Sequence, residues 1–558
     1  MKYTILLFFS SLSMISLAQN KVPFEYSEQP DDPYIKIPRK GRVTAPPFRL
    51  DGSAFNIRQV NVDDAGQNIL GDAANEPSLV IDPINPNRMA IGWRQFDTIS
   101  NNFRQAGQAF SFDAGENWSS PEPIEVGIFR SDPVLDSDSE GNFFYNSLTS
   151  DANGFTCQVF KSETGSNGWG SGTFAYGGDK QWMAIDRTND PSNGNVYAFW
   201  KAGLSSCIGG FTRSLDDGQS YLPCELLLTD PIRGTLVVSP SGELYACGSD
   251  NFGFVVLKSN QPGAPSFQWD LAQEVNLGGS LAYAAGPNPG GMLGQVWIDV
   301  DQSVGPTQGY IYLLTTIANS EDPADIMLSR STNGGLTWNE PIRINTDPVS
   351  GSPDNGNWQW FGSLSVAPNG RVDVTWFDTR DNPGTFLSRL YYSYSLDGGL
   401  TWSPNEALSE AFDPHLGWPQ QAKMGDYNHQ RSDNTGAHLA WAATLNGEQD
   451  VFYSDIIPNL PSATHDFASQ KDAAKVSCAP NPFTGSTSFR FLLKKMTEVQ
   501  VDILDARGRL VERLSGGELP AGQQSLEWEN RAVSGLYFYR VMGDGELIGV
   551  GRMVKAGH

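Results

Sequence analysis

One arrangement of two short strands and a turn can be aligned seven times along this 558-residue chain, and it restricts the possible folds more than any other feature. The copies read PSLVIDPINPNRMAIGW, PVLDSDSEGNFFYNSL, QWMAIDRTNDPSNGNVYAFW, GTLVVSPSGELYACG, VWIDVDQSVGPTQGYIYLLTT, GSLSVAPNGRVDVTWFD and GDYNHQRSDNTGAHLAWAA. A third strand-like run follows each: QAFSFD, QVFKSE, GFTRSL, FVVLKS, IMLSRS, YYSYSL and VFYSDI. Four of these lead into a related turn, SFDAGENW from Ser111, SLDDGQSY from Ser214, STNGGLTW from Ser331 and SLDGGLTW from Ser395. Such a turn has a local logic: Asp caps backbone N–H groups, Gly takes a positive φ, and Trp folds back over the hairpin.

A single unit of this kind cannot bury both faces of its sheet, whereas units stacked around an axis cover one another. Seven units of about 45 to 70 residues therefore predict a β-propeller, with six blades as the alternative if one unit is an insertion. The last unit lacks a fourth strand after Ile456, and NIRQVNV at 56–62 is expected to supply it and close the ring. Frequent Gly (58) and Pro (35), and the scarcity of helical periodicity, agree with an all-β chain.

The ends carry other signals. MKYTILLFFSSLSMISLAQN has the pattern of a secretory signal peptide, with cleavage after Ala18. No later run reaches the length of a membrane helix. The formal charge of −25 argues against nucleic acid as a partner. Cys207 and Cys224 flank the Ser214 turn and are the favoured disulfide among five cysteines; a Cys/His zinc site is not expected. DSDSEGN at 136–142 matches half a calcium loop, but its slot in the repeat is an ordinary turn, so no metal is expected. No cofactor is expected either. The expected organisation is a signal peptide (1–18), an N-terminal extension (19–55), a propeller (56–458), a linker (459–475) and a small β-sandwich (476–558).

Two resemblances add to this reading. The Ser-x-Asp-x-Gly-x-x-Trp turns, with NEPSLVIDPINPNRMAIGW, WFDTRD and MGDYNHQRSDNTGAHLAW, resemble the Asp-box (bacterial neuraminidase repeat) motif of sialidase-like propellers. In that group the boxes are structural and lie on the face opposite the active site. Asn481-Pro482-Phe483, DARGRLV, GLYFYRV and the closing RMVK resemble the C-terminal sorting domain of type IX secretion cargo. That resemblance implies export through the periplasm to the outer surface or medium, with the secretion machinery as a partner.

Propeller geometry places candidate chemistry in two sets of loops. Those leading into the innermost strands offer Glu76, Arg130, Asp132, Asp179, Lys180, Arg233, Trp360, Asp426 and Tyr427. Those between second and third strands add Arg94, Asp97, Lys201, Asp250, Glu321, Asp322, Asp378, Arg380 and Asp381. The sialidase resemblance implies an arginine clamp on a substrate carboxylate (Arg94, Arg130, Arg233, Arg380), a Tyr427 nucleophile with Glu76, and Asp132 as acid/base. Asp378, Asp426 and Trp360 would line the same funnel. Two functions stay open: an exo-sialidase-type glycoside hydrolase acting on glycans or surface glycoproteins, and a non-catalytic propeller that binds glycan or protein.

Overall fold

A computed structural model describes residues 32–52, 54–250, 253–460, 476–505, 510–529, 534–544 and 546–556. The predicted signal peptide and nearly all of the predicted linker lie outside the described residues. Two compact units are present, one ending at Ile456 and the other beginning at Ile457. The only helical element among the described residues is a three-residue 3-10 turn, Ala202–Leu204; everything else regular is strand.

In the first unit, seven antiparallel meanders follow one another along the described chain. Their innermost strands are β1 (Ala73–Ile81), β2 (Ser131–Ser137), β3 (Trp182–Ile185), β4 (Leu236–Val238), β5 (Trp297–Val300), β6 (Gln359–Val366) and β7 (His429–Ser432). Each of these strands lies against the next, and β7 lies against β1, so the cycle is closed. The fold is a β-propeller. Its last sheet is completed by Phe55–Gln59, which pairs antiparallel with Asp450–Ile456. The closing strand thus begins one residue before the predicted 56–62 and ends three residues short of its end.

Register fixes the two faces. In the first sheet Ile81 pairs with Met89 and Met89 with Ser111, so the Ser111 turn lies at the end of the sheet away from Glu76. The end with Glu76 is termed the upper face. At the lower end, the residue following an innermost strand is repeatedly an aspartate that accepts nearby backbone N–H groups. Asp82 takes Ile84 and Asn85, Asp138 takes Glu140 and Asn142, Asp186 takes Thr188, Asp301 takes Ser303, and Asp433 takes Thr435. This is why DSDSEGN reads as a turn: Asp138 closes it, and Asp136 pairs with arginines instead.

The four turns, three Ser-x-Asp-x-Gly and one with Asn333 in place of Asp, share one network. Ser111 Oγ bonds Asp113 Oδ1 (2.9 Å) and accepts Gly115 N–H (2.9 Å), while Asp113 accepts Asn117 N–H (2.9 Å). Ser214, Ser331 and Ser395 repeat it with Gly218, Gly335 and Gly399. Burial pushes the Asp113 carboxyl up, but the bonds from Asn117 and Ser111 outweigh it and hold it below the ordinary value. Cys207 and Cys224 form a disulfide.

The second unit is a β-sandwich of a three-stranded and a four-stranded sheet. Alternate residues of Ser486–Leu493 point inward, and Phe489, Phe491, Val501, Trp528 and Tyr539 share its core. Asn481 and Phe483 bond the last strand: Asn481 Nδ2 donates to Arg552 O, and Phe483 N–H to Val554 O.

In the box turns the residue before the glycine is also left-handed, at φ 61° in Ala114 and 58° in Asp217, where the other two turns already have Gly334 and Gly398. A left-handed Ala costs on the order of 1–2 kcal/mol, part of which glycine's greater unfolded-state freedom offsets. Ala114→Gly is therefore expected to stabilise the first unit by about 0.5–1 kcal/mol, read as a higher urea midpoint with unchanged m-value.

Candidate functional site at the upper face

A residue at or near the start of an inner strand sets up the site. Glu76, Asp132, Lys180, Arg233 and Phe361 occupy equivalent places in five units, and all are left-handed, at φ 51°, 46°, 60°, 62° and 55°. In three of them a break in the strand register, between Asn75 and Ser78, Ser131 and Val134, and Trp360 and Ser363, accompanies the turn of the chain. Such bulges re-aim a side chain, and a left-handed non-glycine costs on the order of 1 kcal/mol each. The ring holds Glu76, Asp132 and Lys180 in this conformation, where their side chains meet, against local preference.

Around the axis three carboxylates meet three cations. Lys180 Nζ donates to Asp426 Oδ2 at 2.5 Å and lies 3.6 Å from Asp132 Oδ2. Lys423 Nζ sits 3.2 Å from the same Asp426 oxygen and 3.5 Å from Glu76 Oε1, whose partner oxygen is 3.2 Å from Arg94 Nε. Burial, the largest influence, pushes the Glu76 carboxyl up; with Arg94 and Lys423 opposing and Asp132 and Asp426 assisting, it reaches about 7. Burial acts the same way on Asp132, but Lys180 and Arg94 overcome it and hold it at about 2. Asp426, against the same burial, is held well below the carboxylate range by Lys180 and Lys423. Neighbouring carboxyls are thus pushed apart, which is the pattern of an acid/base pair.

A hairpin roofs this cluster. Tyr283–Ala285 pairs with Asn288–Met292, and the turn lies on the segment leading into β7. Met292 N–H donates to Asp426 Oδ1 (2.9 Å), Gly290 N–H to Ala422 O (2.7 Å), and Asn288 Nδ2 to Gly425 O (2.8 Å). A Cβ at Gly291 would sit 2.7 Å from Gly425 O and 2.9 Å from Asp426 Oδ1, so only glycine permits this approach. Glu76, Asp132, Asp426 and Lys423 are all buried.

Below the charges lies an aromatic layer that includes Trp182, two residues beyond Lys180. Trp182 meets Trp297 edge-on (5.1 Å between centroids), Tyr427 (5.4 Å) and His429 (5.4 Å), and Trp297 stacks on His429 (5.5 Å). Tyr427 belongs to this packing. Its hydroxyl donates to Pro133 O at 2.8 Å, and burial, then Glu76 and Asp132, push its ionisation well above the ordinary value. A phenol so placed is held neutral, the reverse of what a nucleophile requires.

The remaining candidates are separated. Arg130 pairs with Glu125 and Gln158. Arg380 is held by Asp378 Oδ2 (2.6 Å), which also accepts Trp376 Nε1 (2.9 Å), so the buried Asp378 positions Arg380 and Trp376. Trp360 was expected in the funnel; it is instead a fully buried core residue whose Nε1 donates to Ser388 Oγ (3.0 Å), and Phe361 takes the left-handed position. The bulge in β6 explains the one-residue offset. Arg233 holds the left-handed position before β4.

Sequence reasoning missed Lys423, the roof and an aromatic ledge. Trp358, Phe386, His415 and Trp418, from three upper-face loops around β6 and β7, form a chain of ring contacts at 6.2, 5.1 and 5.1 Å. All four are partly exposed. The only sequence signal was their density of aromatics in loop segments.

No protein-family profile matches the chain, and no curated protein matches it. Solved structures are similar at low identity. They include a protein of unknown function from Dyadobacter fermentans DSM 18053 (14% identity, 72% of this chain and 99% of that one, TM-score 0.40). A fungal alcohol oxidase of the AA5 family in complex with copper is 10% identical over 90% of this chain and 98% of its own (TM-score 0.45). Trypanosoma rangeli sialidase in complex with 2,3-difluorosialic acid is 10% identical over 92% and 91% (TM-score 0.36). The architecture above rests on the chain's own sheets and not on these likenesses.

The opposed carboxyls give a pH signature. Glu76 is raised from an ordinary 4.5 to about 7, so the folded state binds the extra proton between those values and stability falls as pH rises through them. Asp132, lowered from 3.8 to about 2, contributes stability that is present above 3.8 and lost as pH falls through about 2. Glu76→Gln is expected to remove a slope on the order of 1–3 kcal/mol between about pH 4.5 and 7, measured from urea midpoints of both proteins across pH 4–8.

Proposed function

We propose that this protein is a surface propeller that binds glycans through its upper face without hydrolysing them. The observation that carries the reading is the aromatic ledge of Trp358, Phe386, His415 and Trp418, whose partly exposed rings are suited to the flat faces of sugars. Arg94, Arg130 and Arg380 are each engaged by a partner within the chain, and Tyr427 Oη serves a backbone carbonyl. A substrate carboxylate would compete with Asp378 for Arg380, and Arg94 and Arg130 are buried. Export fits this role: the N-terminal segment reads as a signal peptide, and the C-terminal sandwich as a type IX sorting domain of the outer surface or medium.

A second reading, an exo-sialidase-type hydrolase, is favoured by one feature, the Glu76 carboxyl near 7 beside an ionised Asp132. It requires the 283–292 hairpin to move. A glycan array combined with a fluorogenic sialoside assay separates the two. The binding reading expects glycan capture, with Trp358→Ala and Trp418→Ala each weakening it about three- to tenfold, and no turnover. Turnover that Glu76→Gln abolishes would establish the hydrolase instead.

Deleting everything after Lys475 is expected to leave the first unit folded but retained in the periplasm of a type IX-competent host. Unchanged export of the shortened chain would count against the sorting role.

A further inference from the structure

The lower end of the axis carries a site that neither reading uses. Beneath the Trp182–Trp297–His429 layer lies a cavity of about 160 Å³. It is close in volume to the ~150 Å³ engineered cavity that takes up benzene. A ligand of about six to ten non-hydrogen atoms fits such a space.

Its polar wall is built from separate blades. Arg187, following β3, and Arg431, in β7, converge on one oxygen of Asp136 in β2, at 2.8 and 3.0 Å. The other oxygen of Asp136 accepts Ile185 N–H (2.9 Å), so the carboxylate is fixed. A guanidinium has five N–H donors. The hydrogen bonds of Arg187 run through Nη1 and that of Arg431 through Nη2, and about a third of each side chain stays open (34% and 32%) while lining the cavity. Burial, then Arg187, depresses the Arg431 guanidinium against the pull of Asp136 and Asp299. Two cations sharing one carboxylate oxygen leave room for a second anion on their open edges. The aromatic layer supplies a flat apolar wall: His429 accepts Leu79 N–H at Nδ1 (3.1 Å), is held neutral by burial, and stacks on Trp297.

We propose that this cavity binds a small carboxylate with a flat body, its charge between Arg187 and Arg431 and its body against Trp297 and His429. The charged and titratable groups facing the ligand are Arg187, Arg431, Asp136, Asp299 and His429. Asp136, against burial, is kept ionised by the two arginines, and His429 stays neutral. Asp299 accepts Val366 N–H (2.7 Å) and Val300 N–H (2.8 Å), and burial pushes its carboxyl up to about 6. Below that pH Asp299 is neutral and ceases to repel the ligand, so affinity rises from pH 7.5 to pH 5.5.

Sodium benzoate is the probe, titrated into the full chain by calorimetry and tryptophan fluorescence. Benzamide is the neutral isostere and inorganic phosphate the alternative anion. The expected result is saturable benzoate binding, tighter at pH 5.5 than at 7.5, with benzamide and phosphate at least tenfold weaker. Arg431→Gln should weaken benzoate at least tenfold; Arg187→Gln, at the more open position, should do the same if Arg431→Gln does not fold. Three results would overturn the proposal: no saturable benzoate binding, equal binding of benzamide or phosphate, or unchanged affinity in an arginine variant that melts like the wild type.

Discussion

The pairing of Phe55–Gln59 with Asp450–Ile456 is the interaction on which the rest of the first unit depends. Each sheet covers its neighbour, and a ring has no spare neighbour at a gap. Were the seam open, β7 and β1 would each lose an apolar partner. The buried cluster at the seam, Val60, Leu79, Ile91, Trp93, Ala440 and Tyr453, is drawn from both sides of it. Side chains tighten the same join: Asn61 Nδ2 donates to Asp450 Oδ1 (2.5 Å), and Val451 N–H to Asn61 Oδ1 (2.9 Å), across nearly 390 residues. Bringing such distant strands together costs loop entropy, which the closed core must outweigh.

Ring closure is also what allows charges and strain to persist on the axis. Left-handed Glu76, Asp132 and Lys180 would relax in an isolated hairpin. Here Lys180 reaches Asp426 from the other side of the seam. Buried pairs of this kind return little net stability, because desolvation opposes the attraction. Their effect is geometric: the partners on β1 and β2 and on the segments leading into β3 and β7 can be satisfied in one arrangement of the ring.

The repeat made much of the fold legible, and even the unit positions of Glu76, Asp132, Lys180 and Arg233, because a fixed distance separates each from its turn at the lower face. Trp360 was misplaced by one because WQWFGS carries no charge to mark the bulge, and its glycine, Gly362, falls one residue after the left-handed Phe361. The Cys207–Cys224 bond, spanning 17 residues around a hairpin, was readable locally. Which cation meets which carboxylate was not, since Lys180 and Asp426 are 246 residues apart. The roof at 283–292 was hidden for another reason: it interrupts the repeat that supplied every other assignment.

The two ends of the axis differ in what they leave for a ligand. At the upper end, Glu76, Asp132 and Asp426 face Arg94, Lys180 and Lys423, and the cluster is covered by a hairpin that donates to Asp426. An incoming carboxylate there would compete with three internal ones in a desolvated space, where removing a partner is costly. At the lower end Asp136 is shared by two guanidiniums whose remaining edges border a cavity. Trp182, Trp297 and His429 fill the space between, so the lower arginines act beyond the reach of Asp426 and its partners. Anion recognition by this propeller is therefore better served by the end that carries the box turns, and the glycan contact proposed for the upper face would fall to the aromatic ledge at its rim.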